Sequence, residues 1–191
     1  MKEIIIASKN KGKIEEVKQI LKEYSIISMY QTGIDTEFSE DEETFQGNAI
    51  KKAETMSKRI DGKLCMADDS GIEIEYLNGY PGVKTKRCFD GTDRERNLFL
   101  LEKLKDIPKE KRKIKFTTAI AISNGNKTIC ESGSIYGYVS KETRGENGFG
   151  FDEIFELPNG KTLAELSNTE KNEISARRIA LEKIKKRLLE V

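Results

Sequence analysis

Leu64-Cys65-Met66-Ala67-Asp68-Asp69-Ser70-Gly71 is the stretch on which the reading of this chain turns. The apolar run Leu64 to Ala67 has strand character and is expected to end at two adjacent carboxylates, a hydroxyl and a glycine. Two charges at the end of a buried strand repel each other and lose solvation, so the pattern calls for a compensating cation. A hard metal ion such as Mg2+ is the economical choice. It takes oxygen ligands from one or two carboxylates and keeps the rest of its shell for water and substrate phosphate. Successive strand residues face opposite sides, so Asp68 and Asp69 are expected to differ in task. One binds metal while the other orients a lysine or activates water. The bland alternative is a turn in which Asp-Ser-Gly caps the strand end.

Towards the N-terminus, Glu3 to Ser8 reads as a buried strand running into the polar loop Ser8-Lys9-Asn10-Lys11-Gly12-Lys13. Ile14, Val17, Ile20 and Leu21 follow at helical spacing, with Glu15 and Glu16 placed where the helix dipole favours acids. The loop therefore sets three lysines and backbone N–H groups at a helix N-terminus, a ready anion site, or else an ordinary solvated turn. Ser25 to Tyr30 is a second strand. The acidic cluster Glu37, Glu40, Asp41, Glu42 and Glu43 precedes a helix whose apolar stripe is Phe45, Ala49, Ala53, Met56 and Ile60.

Towards the C-terminus, Ile72 to Leu77 alternates as a half-exposed strand, and the turn Asn78-Gly79-Tyr80-Pro81-Gly82 leads into a basic loop with Lys84, Lys86 and Arg87. Leu98, Leu101 and Leu104 mark a helix. Ile114 to Ile122 and Lys127 to Val139 form a hairpin about Asn124-Gly125-Asn126. Gly145-Glu146-Asn147-Gly148-Phe149-Gly150-Phe151-Asp152 is a glycine-rich loop in which backbone can approach a ligand and a ring can lie on it. Ser167-Asn168-Thr169-Glu170 is a capping box for a final helix with buried stripe Ile174, Leu181, Ile184 and Leu188. Strands alternating with helices, interrupted by a hairpin, give a mixed α/β sheet flanked by helices, read as a single domain over 1–191.

A formal charge of +1 argues against a general nucleic-acid or membrane-surface binder, because neither polyanion is matched by a broad basic excess. No apolar run approaches the roughly 20 residues that span a bilayer. The opening residues are too short in apolar length for a signal peptide, and three scattered cysteines indicate neither disulfides nor zinc, so a cytoplasmic location is expected. The sequence contains no histidine. That removes Ser-His-Asp and Cys-His catalysis, His-ligated zinc and histidine general bases together. Chemistry must run on carboxylates, lysines, hydroxyls and a metal.

Taken in order, these loops resemble the inosine/xanthosine triphosphate pyrophosphatase family, the HAM1-like non-standard purine nucleotide pyrophosphatases. The matching pieces are Ser8 to Lys13, Thr44-Phe45 with Asn48-Ala49 and Lys52, Ala67 to Gly71, Gly79 to Gly82, Gly148 to Asp152, and Glu170-Lys171 with Ser175-Ala176-Arg177. The resemblance covers essentially the whole chain. It implies an elongated, two-lobed mixed α/β fold with a central cleft, a homodimer, and Mg2+-dependent hydrolysis of nucleoside triphosphates to monophosphate and pyrophosphate. Carried over, Ser8, Asn10, Lys13 and Lys52 hold the triphosphate, Glu40 and Asp69 ligate Mg2+, and Asp69 accepts the proton of the attacking water. Ser70 contacts substrate. Phe149, Gly150, Phe151 and Asp152 line the base and sugar pocket, with Phe151 stacking and Asp152 accepting from the base, while Lys171 and Arg177 close the base edge. The family's Ser-His-Arg reads Ser175-Ala176-Arg177 here, and this departure is taken to loosen base selectivity. The alternatives are a related pyrophosphatase acting on another nucleotide, and a non-catalytic nucleotide-binding regulator.

Overall fold

The computed structural model describes residues 2–191. Strand β1 (Glu3–Ile6) leads through a loop into helix α1 (Lys11–Ile20) and then strand β2 (Ser25–Ser28). Ile4 to Ile6 are buried, and β2 lies parallel to β1, with Ile4 opposite Ile26. Parallel neighbours require a crossover of a dozen or so residues, and α1 supplies it. Helix α2 (Phe45–Arg59) buries Phe45, Ala49, Ala53 and Met56 as its spacing predicts, while Ile60 forms the C-cap. Thr44 caps its start by accepting the Gly47 N–H at 3.0 Å.

The decisive stretch departs from its expected form. Strand β3 runs unbroken from Cys65 to Ile74, so the two aspartates lie in its middle and not at its end. The expected turn at Asp-Ser-Gly and the separate strand after it merge into this one element, which also pairs parallel with β1 through Ile5 and Cys65. Cys65 to Asp69 are all buried. A strand covered on both faces loses its alternation, so charge in its middle mimics a break when only the sequence is read.

Strands β4 (Lys113–Ser123) and β5 (Thr128–Val139) are joined by the expected turn at Asn124, and β6 (Phe155–Glu156) pairs antiparallel with the end of β5. The strand order is β2-β1-β3-β4-β5-β6 in a mixed sheet. Helix α3 (Asp93–Lys103) buries Leu100 and Leu101, whereas Leu98, expected on its inner face, is exposed. The final helix is two helices. Helix α4 (Asn168–Ile174) ends at Ser175, whose ψ of 150° is extended, and helix α5 (Ala176–Lys185) begins at once. The capping box forms as read, but Ile174 is exposed, not part of the buried stripe.

The chain forms two compact units. One comprises the residues up to Ser70 with Thr117–Gly133 and Ala176–Val191; the other comprises Gly71–Phe116 and Ser134–Ser175. In the first, Ile14, Val17 and Ile20 of α1 and Leu181 and Ile184 of α5 share a core with Ile4, Ile6, Met66, Ile120 and Ile122. In the second, Leu100, Leu101, Ile72, Ile74, Ile114, Ile154 and Phe155 form a separate core. Each such fully buried aliphatic side chain contributes roughly 1.5–3 kcal/mol by leaving water. Among the described residues no helix is long and apolar enough to cross a membrane.

Candidate active site

In the first unit, burial forces β3 to neutralise two carboxylates, and α1, α2 and α5 supply the cations. Asp68 Oδ2 accepts from Lys13 Nζ at 2.8 Å and from Arg177 Nη2 at 3.0 Å. Arg177 also donates to Glu16, and all four side chains are buried. Asp69 faces other partners, accepting Asn48 Nδ2 at 2.9 Å on one oxygen and Lys52 Nζ at 3.3 Å on the other. Lys52 Nζ also donates to Glu40 Oε1 at 2.9 Å, so one ammonium joins two carboxylates. The two carboxylates face different partners, as strand alternation predicts. Protein cations, and not a metal alone, compensate the pair.

The environments push the two carboxyls apart. Burial raises Asp68, but Lys13, Arg177 and Lys52 outweigh it and hold the group well below the ordinary carboxylate range. For Asp69 burial wins over Lys52 and Asn48, with Glu40 adding to it, and its pKa lies above the usual value. Burial pulls Lys52 down, yet Asp69, Asp68 and Glu40 together keep it raised. Neighbouring carboxyls driven in opposite directions divide structural from proton-accepting roles. Asp69 is the one suited to take a proton.

The loop before α1 lies at the helix N-terminus as expected. Asn10 is the N-cap and accepts the Lys13 N–H at 3.1 Å, while Ser8 Oγ accepts the Asn10 N–H at 3.2 Å. Lys9 pairs instead with Asp35. Ser70 is half-buried in the middle of β3.

The second unit holds the other predicted group. Asp152 Oδ2 accepts Lys171 Nζ at 2.5 Å and the Phe149 N–H at 2.8 Å. Lys171 Nζ sits 4.4 Å from the centre of the Phe149 ring. Gly148 makes this possible: its φ is +79°, and a Cβ there would overlap the Asp152 carboxylate. Two expectations change. Phe151, expected to stack on a base, is 6% exposed and belongs to the core, so Phe149 is the ring left at the group. Asp152 is 1% exposed and holds Lys171 and the loop backbone. Arg177, grouped with Lys171 by sequence, donates to Asp68 and Glu16 in the first unit.

Sequence reading missed Glu16 and Asn48. The signal for Glu16 was available: it falls on the same helical stripe as Lys13 and Ile20, where a solvated acid has no place. Among the described residues no group of three or more His, Cys, Asp or Glu side chains is arranged to hold a metal. Glu40 and Asp69, converging on one ammonium, are the pair placed to share a cation.

The chain is similar to known proteins along its length. It is 41% identical over 199 residues to a dITP/XTP pyrophosphatase of Clostridium perfringens, covering 98% of each chain. It is 43% identical to the dITP/XTP pyrophosphatase of Bacillus subtilis, again covering 98% of each. A solved HAM1 protein from Coxiella burnetii superposes with a TM-score of 0.87 at 37% identity over 100% of both chains. The Staphylococcus aureus Ham1 protein gives 0.85 at 37% identity over 98% of both. The Ham1 family model matches residues 4–187, a span holding every carboxylate, lysine and arginine described above, and the chain belongs to the Ham1 family.

Proposed function

We propose that this protein hydrolyses non-standard purine nucleoside triphosphates, ITP, dITP and XTP, to monophosphate and pyrophosphate, clearing them from the cytoplasmic nucleotide pool. The observation that carries the reading is the split of Asp68 and Asp69, one fixed as an anion by Lys13 and Arg177, the other raised and joined to Glu40 through Lys52. The names of the relatives in Clostridium perfringens and Bacillus subtilis support the substrate class.

Phosphoryl transfer needs mainly positioning and neutralised charge. Ser8, Asn10, Lys13 and Lys52 are assigned to the triphosphate, the backbone N–H groups at the start of α1 adding a site for anionic oxygens. Glu40 and Asp69 offer hard oxygen donors with few protein ligands, the set that suits Mg2+. Bound there, Mg2+ supplies neutralisation of phosphate charge. Asp69 accepts the proton of the attacking water as the bond between the α and β phosphates breaks and pyrophosphate leaves. Ser70 is assigned to substrate contact.

Phe149, Gly150 and Lys171 are assigned to the base, with Asp152 and Phe151 fixing them from behind. A donor-only ammonium accepts a 6-oxo group as partner and leaves the amino group of adenine opposed and unpaired. Arg177 is assigned to the phosphate side of the substrate, since it shares Asp68 with Lys13. The reading extends to a homodimer, checked by light scattering.

The test is pyrophosphate release with Mg2+ across ITP, dITP, XTP, ATP, GTP and the pyrimidine triphosphates. Release favouring the inosine and xanthosine nucleotides is expected. Equal release from all, or preference for another base, transfers the substrate to the related-pyrophosphatase reading; binding without turnover gives a non-catalytic regulator.

A further inference from the structure

Gly150 in the second unit is gripped from both sides by one face of α3. Its N–H donates to Asp93 Oδ2 at 2.8 Å, and its carbonyl accepts Asn97 Nδ2 at 2.9 Å. Asp93 and Asn97 are four residues apart and so share a helix face. Gly150 has a φ of +65°, and a Cβ there meets nothing within 4 Å, so the glycine serves conformation and not space.

The two clamp residues are themselves fixed. Asp93 Oδ1 accepts Arg96 Nη1 at 2.7 Å, and Arg96 Nη2 donates to Gly91 O at 3.0 Å. Asn97 is fully buried, and its amide is oriented by two acceptors, the Gly150 carbonyl and Glu153 Oε2 at 3.5 Å. Among the described residues its own Oδ1 is buried with no hydrogen-bond partner. A buried carbonyl oxygen left unpaired is destabilising, so Asn97 is a poor choice for stability and is explained by what its N–H groups hold.

Directly before Gly150, the Phe149 N–H donates to Asp152, which also holds Lys171. Three side chains therefore fix three consecutive peptide units of this loop, and with them the position of Phe149 beside the Lys171 ammonium. We propose that Asp93 and Asn97 are positioning residues for base selection, locking Gly150 so that Phe149 and Lys171 are presented to the base in one arrangement. The proposal rests on the function read above, with the base assigned to this group. Without the clamp, the loop samples several arrangements, and the base loses affinity and discrimination while phosphate binding stays intact.

The experiment uses the full chain and compares wild type with Asn97→Asp, Asp93→Ala and Asp93→Asn. Asn97→Asp keeps the shape and replaces the donor by an acceptor facing a carbonyl. Asp93→Asn keeps an acceptor for the Gly150 N–H. Calorimetric titration with inosine monophosphate and, separately, inorganic pyrophosphate reads the two ends of the substrate. Asn97→Asp and Asp93→Ala are expected to weaken inosine monophosphate at least about tenfold and lower the ITP-to-ATP ratio of kcat/KM by a similar factor. Pyrophosphate affinity stays within about twofold, and Asp93→Asn restores most of what Asp93→Ala loses. Equal weakening of both ligands, or an unchanged ITP-to-ATP ratio in folded Asp93→Ala, overturns the clamp. Wild-type protein that binds neither ligand, or binds inosine and adenosine monophosphates alike, overturns the functional reading first, and the clamp with it.

Discussion

Asp68 and Asp69 adjoin in β3, yet their carboxylates are held by separate partners: Lys13 and Arg177 at 2.8 and 3.0 Å for Asp68, Asn48 and Lys52 at 2.9 and 3.3 Å for Asp69. The two residues therefore respond oppositely to the same substitution. Asp68→Asn removes a buried anion between two cations and is expected to cost about 3–5 kcal/mol. Asp69→Asn removes a group whose charged form the fold disfavours. It abolishes turnover and leaves the melting temperature at pH 7 unchanged or raised. Thermal denaturation of the two variants side by side checks the contrast.

The same contrast sets the pH dependence. Asp68 is depressed in the folded state, so its stabilisation is complete above the unfolded aspartate value near about 4 and is lost as pH falls through the folded value. Asp69 is raised, so its ionisation subtracts stability as pH climbs from the unfolded to the folded value. In kinetics, Lys52→Met removes the ammonium shared by Glu40 and Asp69 and is expected to lower kcat roughly 10²–10³-fold. Near-normal kcat in that variant removes Lys52 from the phosphate site.

Chelation separates chemistry from folding. Lys52 already compensates Glu40 and Asp69, so EDTA is expected to stop pyrophosphate release with little change in melting temperature, and added Mg2+ restores the rate. Glu40→Gln raises the Mg2+ concentration for half-maximal activity by at least about tenfold. Full activity in EDTA would refute the assignment of these two ligands.

By the resemblance Ala176 takes the place of a histidine, and it is 2% exposed at the start of α5. Ala176→His is expected to raise the ITP-to-ATP ratio of kcat/KM while costing about 1–3 kcal/mol for overfilling a packed position. An unchanged ratio would end the link between this position and selectivity.

Gly148→Ala meets both a left-handed backbone and the Asp152 carboxylate. The backbone conformation alone costs about 1–2 kcal/mol. The substitution is expected to displace Asp152 and so release Lys171, seen as a lower melting temperature together with weaker binding of inosine monophosphate. Retention of both would show that the loop accommodates a side chain.

The sequence by itself determined most of the alternation of strands and helices, the capping box at Ser167, and the loops that carry the motifs. These are local matters of spacing, N-cap chemistry and turn residues, and they act within a few positions of the chain. It also determined that no histidine is available and that Asp68 and Asp69 face different sides, since alternation follows from backbone geometry alone. Only the tertiary structure decided what each charge meets. Lys13 from α1 and Arg177 from α5 converge on Asp68, and Arg177 also holds Glu16, although α1 and α5 are far apart in the chain. Burial by partners so distant makes mid-strand charges look like a strand end. It also places Phe151 in the core of the second unit and gives Arg177 the partners Asp68 and Glu16. Spacing along a chain reports which side chains share a face. It carries no information about which distant side chain cancels a buried charge, because that pairing depends on through-space distance and lost solvation.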